Sequence, residues 1–211
     1  MHASSTDELP LLILGDGGFA RELVGWMAHA RHPERPQALV HHATPAQRDW
    51  CGLPVRGLAE VSGPARFLLG VGPPAVKADM VRLALARGWV PAAYVDPTAV
   101  IGLGVRLGAG CVVCPYSTVS SDAVLGDYVT LNCRSAVGHD SRVGDFSTLL
   151  GSNIVNGWVD VGRSVLMGAG SMVHPRRRIG DDATVGMGAV VVNHVRPGST
   201  VFGNPARRIS G

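Results

Sequence analysis

Two rhythms of hydrophobic and polar positions divide this chain. From Val95 onward an aliphatic residue, or Met167, stands at every sixth position through Val191, seventeen consecutive hits that include Ile101, Leu107, Val137, Leu149 and Val185. The next residue is Gly in nine of these hexads, and the one four places on is mostly small, as at Cys111, Ser117, Ala123 and Ser141. A period of six fits neither the helical 3.6 repeat nor a long alternating strand. It fits a short strand followed by a corner, repeated so that each strand turns one aliphatic side chain inward. Such hexads predict a parallel β-helix, with inward aliphatics stacked from coil to coil. The phase is unbroken from Val95 to Arg196, so no loop interrupts the expected prism.

Residues 1–94 lack that phase and read instead as alternating strands and helices. Leu11-Leu12-Ile13-Leu14 predicts a strand, Gly15-Asp16-Gly17-Gly18 a tight turn, and Phe19, Leu23, Trp26, Met27 and Ala30 the apolar stripe of a helix. Ala38-Leu39-Val40 and Phe67-Leu68-Leu69 predict further strands, and Val76, Met80, Leu83 and Ala84 a second helix ending near Gly88. The sum is a small parallel α/β domain of Rossmann-like type. Pro91 through Pro97 supplies the break between the domains. The expected organisation is therefore 1–94, an α/β domain; 95–196, the β-helix; and 197–211, a tail.

Composition narrows the classes. The 28 glycines among 211 residues are about twice the usual share, which suits a chain that turns often. A net charge of +3 and only 5% aromatic residues give neither the basic field nor the stacking groups of a nucleic-acid binder. No apolar run approaches the roughly 18 residues that cross a bilayer, so membrane insertion is not expected. The first residues lack a basic, secretory n-region, and a cytoplasmic location is the expectation. The four cysteines then read as free thiols, and Cys111-Val112-Val113-Cys114, without a second such pair, as small core or turn residues rather than a metal or redox site.

With Gly15-x-Gly17-Gly18, Gly52-Leu53-Pro54-Val55, Leu69-Gly70-Val71-Gly72, the hexads and a closing Val201-Phe202-Gly203-Asn204-Pro205-Ala206-Arg207, the chain from Pro10 on resembles the sialic-acid and bacillosamine-type sugar acetyltransferases, hexapeptide-repeat acyltransferases. The resemblance implies a left-handed β-helix with three hexads to a coil, assembly as a homotrimer, and no metal. It implies an N-terminal domain that holds a nucleotide-linked amino sugar and a solenoid that holds acetyl-CoA. Three positions depart from the pattern. Many relatives carry an acidic pair at His41-His42 and His-Pro-Ser at Asp96-Pro97-Thr98, and some carry a coenzyme-contacting His at Thr148.

Acyl transfer from a thioester needs a base for the attacking amine or hydroxyl and a slot for the pantetheine arm. His139 stands in Val137-Gly138-His139-Asp140, at the third place of its hexad, where its side chain should point away from the aliphatic stack. Imidazole can accept a proton near neutral pH, and a neighbouring carboxylate can fix its tautomer and stabilise its cation. The resemblance assigns His139 as catalytic base and Asp140 as its partner. For the substrate it implies Asp16, Gly17, Gly18, His41, His42 and Gly72, the Gly-rich turn before a helix being suited to phosphate. For the coenzyme it implies Thr148, Gly157, Gly168, Ala169, Gly186, Met187, Gly188 and Arg207. Arg208 and the run Arg176-Arg177-Arg178 are further candidates for the coenzyme phosphates. An N-acetyltransferase for a nucleotide-linked amino sugar is the leading expectation. Sugar O-acetylation of sialic-acid type is the enzyme alternative, and a non-catalytic nucleotide-sugar-binding trimer the other. Zinc chemistry on the same prism would need a third His close to His139 and His174, which the sequence lacks.

Overall fold

The computed structural model describes residues 8–209. The chain forms two compact units, one running up to Gly72 and including Val76–Ala93, the other made of Pro73–Ala75 and the chain from Tyr94 onward.

In the first unit the order is β1 (Leu11–Leu14), α1 (Gly18–His29), β2 (Ala38–His41), β3 (Asp49–Trp50), β4 (Leu53–Gly57), β5 (Arg66–Leu69), α2 (Pro74–Leu85) and β6 (Val90–Pro91). The sheet runs β3-β4-β2-β1-β5-β6, parallel except for β3 on β4. The apolar runs predicted as strands are its centre: Leu11 to Leu14, Leu39, Val40 and Phe67 to Leu69 are all buried. Continuous aliphatic runs of this kind belong to strands covered on both faces. Of the stripe predicted for α1, Leu23 and Met27 are buried and Phe19, Trp26 and Ala30 half-buried, and Ala20 joins the buried face. Three strands escaped the sequence reading. β3 has only two residues, β4 carries Pro54, and Pro91, the expected start of the interdomain break, pairs together with Val90 on β5 at the edge of the sheet, a position that tolerates proline.

In the second unit, seventeen two-residue strands recur every six residues from Tyr94–Val95 to Val190–Val191. As far as Met172–Val173, each pairs in parallel with the strand 18 residues on, as in Val137↔Val155↔Val173, so three hexads make one coil and the solenoid has three sheets. The inward residues from Val113 to Val191 are at most 2% exposed. Ile101, in the first coil, is 38% exposed, because within this unit that coil has a neighbour on one side only.

The corners explain the composition. At the second place of the hexad a Cβ would run into the next coil: 2.5 Å from Met187 N at Gly168, 2.6 Å from Arg163 N at Gly144. Glycine is needed there for close approach of coils. The left-handed turn itself lies at the fourth place, where Asp122, Asp140, Trp158 and Arg176 all have φ between 55° and 61°. The small fifth-place residues fold into the corner, and Ser141 Oγ donates to Asn156 O and accepts from Val159 N, tying two coils.

The spacing contracts after Val191. Ile179 bridges Val195, and Thr184–Val185 pair with Thr200–Val201, sixteen residues on instead of eighteen. The expected separate tail, 197–211, is therefore corrected: Thr200–Phe202 is a solenoid strand with Val201 buried, and Arg207–Arg208 folds back antiparallel on it.

Candidate active site

His139 sits on the corner between the strands Ala136–Val137 and Arg142–Val143. Its Nδ1 lies 2.8 Å from Asp140 Oδ2, and about half of each side chain is exposed. That bond occupies Nδ1 and leaves Nε2 as the ring atom that can exchange a proton with a substrate. The corner places the two side chains together because Asp140 takes the left-handed conformation, φ 58°.

The next coil brings up Gly157 and Trp158, whose backbone N–H donates to His139 O at 3.0 Å. Gly157 is the floor of the site, for a Cβ there would stand 2.6 Å from His139 Nε2. Trp158 meets the imidazole edge-on, centroids 4.4 Å apart, and Arg176 from the coil beyond lies 4.3 Å over the indole. A cleft of about 290 Å³ opens between Gly138, His139, Ile154, Asn156, Gly157, Trp158 and Pro175. Trp158 went unremarked in the sequence. The signal was available once a coil is 18 residues: Trp158 is 18 beyond Asp140, and Arg176 18 beyond Trp158.

The residues expected to hold the coenzyme are not gathered in one place within the chain. Gly157 lines the His139 cleft. Gly168, Ala169, Gly186, Met187 and Gly188 stand on the preceding corner of their coils, across the sheet that carries Ile154 and Met172. Two of them are occupied by packing: Gly168 by the backbone at Met187, and Gly186 by the ring of Phe202, which a Cβ would strike at 2.2 Å. Gly188 is open, and Met187 is 73% exposed. Thr148 is corrected. It is fully buried, paired with Thr130 and Leu166, and does not line the cleft. Arg207 is exposed on the closing hairpin, beside Phe202 in register.

In the first unit, the substrate candidates collect at the carboxyl ends of the strands. β1 stands between β2 and β5, so the chain leaves it toward opposite sides of the sheet, and ligands of open α/β sheets bind at such a reversal. Asp16, Gly17 and Gly18 follow β1, Gly72 follows β5, His41 ends β2 and His42 comes next. Gly15, φ 120°, could carry no side chain, since a Cβ would be 2.8 Å from Gly70 O, whereas Gly17 and Gly18 face open space. α1 begins there with no side-chain cap and no acidic residue in its first turn, leaving its positive end uncompensated. His41 Nδ1 accepts the Ala43 N–H at 3.0 Å, and the His42 ring lies 4.3 Å from that of His41.

No family model matches the chain. Among curated proteins it is 30% identical over 130 residues to the GDP-perosamine N-acetyltransferase of Escherichia coli O157:H7, and the match spans 59% of this chain and 59% of that relative. Among solved structures it is similar to a histidine-to-asparagine mutant of perosamine N-acetyltransferase from Caulobacter crescentus in complex with CoA and GDP-perosamine. There the TM-score is 0.86 at 28% identity, covering 96% of this chain and 97% of that one. Over nearly its whole length the chain is therefore similar to a sugar N-acetyltransferase. The acetyltransferase domain of PglB from Neisseria gonorrhoeae FA1090 also superposes, with a TM-score of 0.87 at 25% identity, over 96% of this chain and all of that domain. The likeness to these two structures thus extends over both units and not the solenoid alone. Among the described residues, no three His, Cys, Asp or Glu side chains are grouped to hold a metal ion, and no helix is long and apolar enough to cross a membrane.

Proposed function

We propose that the protein is an acetyl-CoA-dependent N-acetyltransferase acting on the amine of a nucleotide-linked amino sugar, with His139 as general base. The observation that carries this is the 2.8 Å contact between His139 Nδ1 and Asp140 Oδ2, which leaves Nε2 beside a cleft open to substrate. Relatives that match nearly the whole chain are described as sugar N-acetyltransferases, one of them seen with CoA and GDP-perosamine. An amino sugar is accordingly favoured over the hydroxyl acceptor of an O-acetyltransferase.

In this reaction the amine nitrogen attacks the thioester carbonyl carbon while Nε2 of His139 takes the amine proton. The C–N bond forms, the C–S bond breaks, and the imidazolium returns the proton to the departing thiolate. Asp140 keeps Nδ1 engaged and stabilises the cation between those steps. The N-terminal unit is read as Rossmann-like, with the nucleotide at Asp16, Gly17, Gly18, His41, His42 and Gly72. The solenoid is read as left-handed, and a cytoplasmic setting follows from the co-substrates.

The split of the coenzyme candidates over two corners supports a homotrimer, in which the Ala169 and Met187 edge of one subunit could face the His139 edge of another. Thiol release from acetyl-CoA with a panel of nucleotide amino sugars is the test. Release is expected with at least one of them, and His139→Ala should lower kcat/KM by about 100-fold or more. No release with any amine acceptor would overturn the assignment.

A further inference from the structure

Beyond the His139 cleft, on the same edge of the solenoid, a second cleft of about 470 Å³ is lined by Trp158, Asp160, Arg176, Arg177, Arg178 and His194. Trp158 is the wall common to both clefts. Three consecutive arginines face one space that holds a single carboxylate, Asp160, 3.4 Å from Arg178 Nε. Among the described residues, no carboxylate pairs with Arg176 or Arg177. Their guanidinium groups are nevertheless held in place: Arg176 by the indole beneath it at 4.3 Å, Arg177 by donating Nε to Val192 O at 2.8 Å and an Nη to Arg176 O at 3.3 Å. The backbone N–H of Arg178 donates to His194 Nδ1 at 3.0 Å, which leaves the His194 Nε2 as a hydrogen donor. Cations fixed side by side repel one another unless an anion sits between them, and positioned guanidinium forks match phosphate oxygens.

We propose that this cleft is an anion site that takes a phosphate-ester group of a substrate whose reacting end lies at His139. The level is suitable, since Arg176 is two coils beyond Asp140, about 10 Å at the spacing of paired strands. The identity of that substrate rests on the acyl-transfer reading, while the anion site rests on the arginines alone. The phosphates could come from the coenzyme, at the far end of its pantetheine arm, or from the diphosphate of the nucleotide sugar.

Calorimetric titration of the full chain with adenosine 3′,5′-bisphosphate, which carries phosphates of the coenzyme without its arm, and separately with uridine and guanosine diphosphates, tests the proposal. The wild type should bind at least one probe, and the pair Arg176→Gln with Arg178→Gln should weaken that binding tenfold or more at unchanged thermal midpoint. Asp160→Asn, which removes the opposing charge, should tighten it. The probe that responds names the source, and KM for the corresponding substrate should rise in the double variant. Equal binding of every probe by wild type and double variant, no binding by the wild type, or weaker binding by Asp160→Asn would each overturn the proposal. Because the titration needs no turnover, a wild type that binds a probe yet transfers no acetyl group would sink the acyl-transfer reading alone.

Discussion

At the scale of single residues, the site is built from contacts one coil apart as much as from neighbours in sequence. His139 and Asp140 are adjacent, and their pairing was legible because a corner turns both side chains out of the stack. Gly157 was expected as a coenzyme contact, but its position gives it a prior duty, to leave room for the imidazole. Its φ lies outside the left-handed region, so Gly157→Ala should fold normally, with a melting point within a few degrees of wild type. The added methyl, 2.6 Å from Nε2, should displace the ring and lower kcat by an order of magnitude or more, measured by thiol release. Asp140→Asn keeps a residue tolerant of the left-handed conformation but replaces the carboxylate by a neutral amide. It should retain the fold by circular dichroism and lose about 10- to 100-fold in kcat.

At the scale of the coil, two kinds of glycine that look alike in the sequence do different work. Gly144 holds no unusual φ but lies against the next coil, with backbone atoms 2.6 Å from where a Cβ would be. Gly144→Ala should therefore cost roughly 1–3 kcal/mol, read as a lower urea midpoint, because neither backbone can give way. Gly170 faces open space at φ 69°, and Gly170→Ala should cost only the left-handed penalty of about 1 kcal/mol. The hexad period announced strands and inward residues, since stacking in register demands one aliphatic per strand. It did not announce which corner place is left-handed, because Asp122, Trp158 and Arg176 adopt that conformation without glycine. Nor did it announce the contraction at Val195 and Thr200, where coil pairing continues after the aliphatic phase has changed.

At the scale of the whole molecule, the outward strand positions distinguish the faces of the prism. Arg142, Asp160 and Arg178 make one face charged, while Ile154 and Met172, about 40% exposed, make another apolar. An apolar face between the two half-sites is where subunits of the proposed trimer would meet. Sedimentation should give three times the 22.0 kDa chain mass, and Ile154→Glu should shift the protein toward monomer and reduce activity with it. The sequence by itself determined the two-part architecture, the solenoid phase, the buried stacks and the exposed His139-Asp140 corner, because periodicity and local turn chemistry act over a few residues. Only the tertiary structure decided that Gly157 and Trp158 lie against His139 with Arg176 over the indole, that Thr148 is buried, and that the small corners expected to hold the coenzyme lie on another edge. Those relations depend on how many residues close a coil, and side chains 18 positions apart become neighbours only once the chain has wound around its core.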